Sequence, residues 1–179
     1  GELTQRGEPA WCSKNLRTKC ALACGADLVL ELPVYYACAS AERFAGGGVA
    51  VLSALGCVDF LSFGSECGCA ADIAAFAALA DSEAFIEEVK IRQKSGLSAP
   101  AARQKAAEHL APELAHLCQS PNDTLGTEYC KWLARAGGKI EPVAVPRRGA
   151  LHGEAPRRSE FASASYLRSL PKPTDALPY

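Results

Sequence analysis

The chain has 179 residues, 49% of them apolar and 22% charged, and its 19 basic and 20 acidic side chains give a net charge of -1. This length and balance indicate one globular domain and exclude a protein that coats nucleic acid or membrane through its overall charge. No stretch approaches the roughly twenty apolar residues of a membrane-spanning helix, and residues 1–10 do not resemble a secretory signal. We therefore expect no membrane partner. Because the sequence contains no Met and starts at Gly1, we also expect a segment to be missing before it.

The nine cysteines predict a reducing, cytoplasmic location rather than a disulfide framework, because their number is odd and the chain is long and rich in alanine. Cys67 and Cys69 form the only close pair. Without a second pair or a histidine at a suitable spacing, this pair is weak evidence for metal binding, and no metal site is predicted. The other seven are expected to be small buried hydrophobic residues: Cys12, Cys20, Cys24, Cys38, Cys57, Cys118 and Cys130.

Helices and strands alternate in the first part of the chain. Apolar residues at helical spacing predict a helix over 13–24, opened by Ser13. The nearly continuous apolar run 26–32 predicts a parallel strand that is buried on both faces. A further helix is predicted over 41–55. It contains Gly46–Gly48, which indicates a close approach of this helix to the sheet.

The second part continues this alternation. A strand over 57–63 is followed by a long helical region over 72–111 with an interruption near Ser95, then by a helix around 125–133 and a strand over 140–145. This order predicts an α/β fold with an open, mostly parallel, Rossmann-like sheet and helices on both faces. Three strands are too few for such a sheet, so we expect the first strand to be missing from this chain.

Candidate ligand-binding residues follow the strands, because open parallel sheets bind ligands beyond the carboxyl ends of their strands. Gly64 follows the second predicted strand, and Arg147 and Arg148 follow the third, where guanidinium groups suit phosphate. A tight turn is the alternative interpretation of Gly64. Asn122 either caps the helix that follows it or presents its amide to a ligand.

A second candidate anion site lies near the end of the sequence. Ser163 and Ser165 open a short predicted helix, and Arg168 follows one turn later, a combination used for nucleotide phosphates. Simple capping by Ser163 is the alternative. His152 could act in acid–base chemistry, but a single histidine without a visible partner is weak evidence, and its role stays open.

Charge is uneven along the chain although the total is close to zero. Residues 66–88 contain six acidic side chains and no basic one, whereas residues 139–172 contain seven basic and three acidic side chains. The basic segment is where phosphate or an RNA backbone is expected to bind. A solvated loop is the competing interpretation of the same residues.

Several blocks of sequence occur in an order that resembles one known family, the bacterial tRNA(Met) cytidine acetate ligases of the nucleotidyltransferase superfamily. The resemblance spans essentially the whole chain. It departs from the family pattern at Asn15, at Ala39 and at Leu151–Gly153. The blocks that carry the resemblance are Gln5–Ala10, Lys14 with Arg17 and Lys19, Gly25–Pro33, Ser40–Ala45, Phe63–Glu66, Pro100–Arg103, Pro121–Asn122 with Leu125–Gly126, and Ala162–Ser165 with Arg168.

The resemblance implies an enzyme that uses ATP and Mg²⁺ to activate acetate as acetyl-adenylate, and then acetylates the wobble cytidine of elongator tRNA(Met). It implies that Gly64, Asn122, Arg147 and Arg148 contact ATP. It also implies that residues 163–168 form a second phosphate motif. The superfamily's His-x-Gly-His motif does not occur in this sequence, so catalytic residues stay unassigned and this chain alone is expected to be inactive.

The predicted organisation is therefore an incomplete nucleotidyltransferase-like domain over 1–179, in which 146–179 is a basic segment rich in Pro, Ser and Arg. Two other functions stay open. One is a small-molecule adenylyltransferase, which acetate-dependent release of pyrophosphate would distinguish. The other is a non-catalytic RNA-binding module that uses Arg157 and Arg158, for which salt-sensitive binding without ATP turnover is expected. The sequence does not indicate the oligomeric state.

Overall fold

The computed structural model describes residues 1–4, 7 and 9–147. The chain divides into two compact units, Gly1–Pro146 and Arg147–Tyr179, and the helices and strands of the described residues all belong to the first. They are α1 (Lys14–Ala23), α2 (Val34–Ala37), α3 (Ala41–Leu55), β1 (Phe60–Ser65), α4 (Ala70–Ala80), α5 (Glu83–Lys94), α6 (Ala99–Leu110), a 3₁₀ helix (Ala115–Cys118), α7 (Pro121–Arg135) and β2 (Glu141–Pro146). No helix in this described part is long and apolar enough to cross a membrane.

The two strands pair in parallel, in a register that runs from Phe60 opposite Glu141 to Ser65 opposite Pro146. Four α-helices separate them along the chain, and parallel strands need such a crossover connection. The prediction of an α/β fold with an open parallel sheet is confirmed. Both carboxyl ends consequently lie at one edge of the sheet, next to each other.

One face of β1 packs on the core. Leu61, Phe63 and Ser65 are buried, whereas the residues between them face outward, as the two-residue period of a strand requires. The buried side chains pack with apolar residues of α3, α4 and α7, including Val49, Ile73, Phe76 and Leu133. Removal of this apolar surface from water is the main force that holds β1 against the helices.

Local capping signals predict most helix ends correctly. The Ser13 hydroxyl accepts a hydrogen bond from the Leu16 N–H at 3.3 Å, and Ser98 does the same for Ala101 at 3.4 Å. Gly56 ends α3 with a φ of 69°, in the left-handed region that glycine tolerates. The predicted helices over 13–24, 41–55 and 125–133 are therefore confirmed, with boundaries that shift by a few residues in the last case.

The predicted strand over 26–32 is wrong for this structure. These residues form no strand, and Leu28 is 61% exposed. A groove lined by Leu30, Leu32 and Leu61 lies between the segment and β1, and among the described residues no strand pairs with its backbone. The sequence patterns also do not predict α2, the 3₁₀ helix or the break at Asp81–Ser82 that divides α4 from α5.

The glycines of α3 approach other helices rather than the sheet. A Cβ on Gly46 would lie 2.6 Å from Cε2 of Trp132 in α7, and a Cβ on Gly47 would overlap the ring of Tyr36 in α2. A Cβ on Gly48 would lie 3.8 Å from Tyr129, which is ordinary contact. The predicted close approach is thus real at two positions, but its partners are aromatic side chains.

These three neighbouring glycines give a matched test of packing. Gly46→Ala and Gly47→Ala should each lower the free energy of unfolding by about 1–3 kcal/mol, because an added methyl group overpacks the helix contacts. Gly48→Ala should be neutral or raise it by up to about 1 kcal/mol through better helix propensity. Urea denaturation measures all three, and equal effects at the three positions would contradict this account.

The prediction that seven cysteines are buried is wrong for most of them. Cys130 is buried, but Cys20, Cys24 and Cys57 are exposed, so alanine-rich surroundings and helical spacing do not identify a buried face. Burial raises the pKa of the Cys130 thiol to about 11, and it raises the pKa of Cys118 above its ordinary value as well. A buried, protonated thiol is a poor nucleophile.

Thiol alkylation at pH 8 should therefore separate the cysteines into two groups. We expect Cys20, Cys24 and Cys57 to react with iodoacetamide in the folded protein, and Cys130 to react only after denaturation. Mass spectrometry of the labelled peptides measures this, with the denatured protein as the control for full reactivity. Rapid labelling of Cys130 under native conditions would contradict the packing of α7.

Candidate functional site

The carboxyl end of β1 meets the first turn of α7, and this junction contains the best-defined polar site of the described residues. Its centre is the carboxylate of Asp123, which is only 1% exposed. Asp123 is the third residue of α7, so the free N–H groups and the dipole at the helix N-terminus favour its negative charge. A buried carboxylate also needs direct hydrogen bonds, and the loop after β1 donates them.

The donors come from the last residue of β1 and the first two residues of that loop. The Ser65 hydroxyl donates to Oδ1 of Asp123, the Glu66 N–H donates to the same oxygen at 3.0 Å, and the Cys67 N–H donates to Oδ2 at 3.2 Å. Ser65, which is itself completely buried, also accepts a hydrogen bond from the Gly68 N–H at 2.8 Å. The loop is therefore held by one carboxylate and one hydroxyl.

The loop also contacts the end of β2. A Cβ on Gly68, whose φ is 68°, would lie 2.8 Å from the ring of Pro146. Only glycine combines this left-handed conformation with such a close approach. Cys67 and Cys69 lie in the same loop, where the Cys69 N–H lies 3.4 Å from Sγ of Cys67. Across the described ranges, no three side chains of the His, Cys, Asp or Glu types come together to hold a metal.

Asn122 does not cap its helix. The N-cap of α7 is Ser120, and Asn122 is the second residue inside the helix. Its side-chain amide points instead to the loop after β1, where Nδ2 donates to Oε1 of Glu66 at 2.7 Å. The capping interpretation of Asn122 is therefore wrong, and the interpretation that its amide is presented to a ligand stays a prediction.

Gly64 lies inside β1 rather than in a turn. It is the fifth residue of that strand, pairs opposite Val145 and is exposed. Since it has no side chain, its backbone is open to a ligand at the carboxyl edge. Gly64 lies two residues before Glu66, to which the Asn122 amide binds, so both predicted residues lie at the carboxyl end of β1.

The remaining predicted site residues belong to the second unit. Arg147 is its first residue and directly follows the carboxyl end of β2. Arg148, His152, Ser163, Ser165 and Arg168 lie outside the residues that the structure describes. The predicted second phosphate motif over 163–168 stays a prediction.

Sequence reasoning does not find Asp123. The pattern of Ser120–Asp123 indicates only a helix start, and nothing local shows that a carboxylate in the first turn binds a loop 57 residues earlier. The available signal is weak. An acidic residue in the first helical turn is common for dipole reasons alone.

A buried ion-pair network fixes the rest of α7. Glu128 is 3% exposed, and its carboxylate oxygens lie 3.0 Å from Nη1 of Arg103 in α6 and 2.7 Å from Nζ of Lys131. Gly126 lets the helix approach β1, since a Cβ there would lie 2.5 Å from the Phe63 ring. The helix that supports the site is therefore anchored on two sides.

The fold and the site define an α/β domain with a polar edge at the carboxyl ends of parallel strands. The family model described as HIGH Nucleotidyl Transferase matches residues 1–177. The chain therefore belongs to the HIGH nucleotidyltransferase family.

Relatives with known names are similar over 94% of this chain. It is 42% identical to a tRNA(Met) cytidine acetate ligase of Caldicellulosiruptor saccharolyticus and 39% identical to one of Thermoanaerobacter sp. strain X514. The chain spans 42% and 43% of the lengths of these two proteins, which is less than half of each.

Solved structures show the same similarity. Apo TmcAL of Thermotoga maritima matches with a TM-score of 0.86 and 34% identity, over 94% of this chain and 42% of the other. The same protein bound with alpha-thio ATP matches with a TM-score of 0.82 and 32% identity, over 94% and 40% of the two chains.

Proposed function

We propose that this protein is an ATP-dependent ligase that activates acetate and acetylates the wobble cytidine of elongator tRNA(Met). The observation that carries the proposal is the placement of Gly64 and Asn122 at one sheet edge, in a fold that matches an ATP-analogue complex. The names of the relatives supply the substrate class.

The reaction suits such a site because it needs positioning and charge neutralisation more than a covalent protein nucleophile. An acetate oxygen attacks the α-phosphorus of ATP, and the bond to the bridging oxygen breaks to release pyrophosphate. The cytidine amine then attacks the acetyl carbon of acetyl-adenylate. AMP leaves, and the amine loses a proton.

Each proposed binding residue has a role in the first step. The exposed backbone of Gly64 allows the nucleotide to lie directly on the end of β1, and the Asn122 amide offers a hydrogen-bond donor. Arg147 and Arg148 would neutralise phosphate charge through their guanidinium groups. Residues 163–168 would bind phosphate at a second position.

In this proposal Mg²⁺ binds mainly to the phosphates of the nucleotide. The described residues bring no group of three ligand side chains together, and Mg²⁺ commonly uses substrate phosphates, water and one or two carboxylates. When bound, the ion would neutralise charge on the phosphates. The protein's own residues would orient the nucleotide.

ATP–pyrophosphate exchange by the full-length protein tests this proposal. We expect exchange that depends on acetate, and we expect Asn122→Ala to raise the KM for ATP about tenfold, the cost of one hydrogen bond to a charged ligand. Asn15→Ala, an exposed asparagine on α1, is the matched control and should leave the KM unchanged.

Two outcomes would contradict the proposal. Pyrophosphate exchange that does not depend on acetate but does depend on a phosphorylated small molecule would indicate an adenylyltransferase. Salt-sensitive binding of tRNA without any ATP turnover would indicate an RNA-binding module. Acetylation of the elongator tRNA(Met) transcript, measured by mass spectrometry of its nucleosides, completes the assay.

A further inference from the structure

We infer that Asp123 is a positioning residue for the nucleotide, which sets the conformation of the loop after β1 and thereby the placement of Glu66 next to Gly64 and Asn122. This inference rests on the proposed function only for the identity of the ligand. The positioning itself follows from contacts within the described residues.

The first argument is the direction of the Asp123 side chain. An acidic residue at the third position of a helix commonly bonds back to the helix start as part of a capping box. The Asp123 carboxylate instead accepts hydrogen bonds from Ser65, Glu66 and Cys67. It therefore connects two elements that are far apart in sequence.

The second argument is the number of groups that one carboxylate fixes. Two backbone N–H groups and the buried Ser65 hydroxyl donate to its two oxygens. The Ser65 hydroxyl in turn accepts a hydrogen bond from the Gly68 N–H at 2.8 Å, which also fixes Gly68. Each backbone hydrogen bond fixes the orientation of a peptide plane. Together these contacts determine the course of residues 65–68, directly after Gly64.

The third argument is the link to Asn122. This residue precedes Asp123 in α7, and its amide binds the Glu66 side chain at 2.7 Å, while the Glu66 N–H binds Asp123. The loop and the start of α7 are thus joined by two contacts of Glu66, one with Asn122 and one with Asp123. If Asp123 released the loop, Glu66 would no longer be held beside Asn122, directly after the strand that contains Gly64.

Asp123→Asn tests this role with little change in volume. The asparagine amide keeps one acceptor oxygen, but its NH₂ group replaces the other carboxylate oxygen. This NH₂ group and a backbone N–H of the loop are both donors, so that hydrogen bond is lost. We expect the KM for ATP of the full-length protein to rise about tenfold to a hundredfold, as a misplaced binding edge predicts. We expect amide hydrogen exchange at residues 66 and 67 to be roughly tenfold faster.

Cys130→Ala is the matched control, because Cys130 is also buried in α7 but lies away from the loop. It should lower the thermal stability while leaving the KM for ATP and the exchange at residues 66 and 67 unchanged at temperatures where the protein is folded. Ser65→Ala is the second test variant, since it removes the hydroxyl that donates to Asp123 and accepts from Gly68 but leaves both backbone hydrogen bonds to Asp123. For this variant we expect the KM for ATP and the rate of amide hydrogen exchange at residues 66 and 67 to lie between those of the wild type and of Asp123→Asn.

The outcomes separate this inference from the proposed function. If the wild type shows no acetate-dependent exchange of pyrophosphate, the proposed function fails, and amide exchange still decides the role of Asp123. Unchanged amide exchange and unchanged KM in Asp123→Asn would overturn the inference. If that variant does not fold, Ser65→Ala decides, and a wild-type KM with wild-type amide exchange would overturn it.

Discussion

The carboxylate of Asp123 joins the end of β1 to the start of α7, and the geometry of the proposed ligand edge depends on this junction. Polar backbone groups that leave a strand at a buried position must find partners. A side chain from the next layer supplies them, with hydrogen bonds at 3.0 and 3.2 Å to two successive N–H groups. The loop is therefore ordered without being part of the sheet.

Helix α7 can serve this role because it is itself firmly placed. Its small residue Gly126 allows close contact with Phe63 of β1, and Glu128 binds cationic groups of α6 and of α7 itself. Removing one partner of such a buried ion pair costs far more than removing an exposed one. These buried contacts of Gly126 and Glu128 hold the helix in place, while its N-terminus lies at the carboxyl end of β1.

Local sequence signals predict several helix ends, but they predict neither every helix nor the packing between helices. Capping residues such as Ser13 and Ser98 act within one turn, so the sequence predicts them well. The run over 26–32 has the composition of a buried strand, yet a strand exists only beside a partner, and none of the described residues pairs with this run. Composition does not contain that information.

The same distinction applies to the site. The sequence predicts Gly64 and Asn122 as binding residues because ligands bind beyond the carboxyl ends of parallel strands and because the family resemblance implies them, and this binding role stays a prediction. The sequence does not predict Asp123, since its partners lie 56 to 58 residues away. The glycines of α3 show the same limit: their spacing indicates close approach, but only the structure identifies Trp132 and Tyr36 as the neighbours.

The nucleotide is proposed to bind at the carboxyl edge of β1, next to the loop that Asp123 positions. Chemical-shift mapping of the full-length protein with ATP tests this central claim most directly. The largest shifts are predicted to fall on the amides of Gly64, Glu66 and Cys67 and on the side-chain amide of Asn122. Shifts confined to the opposite end of the sheet, around Gly56 and Lys139, would contradict it.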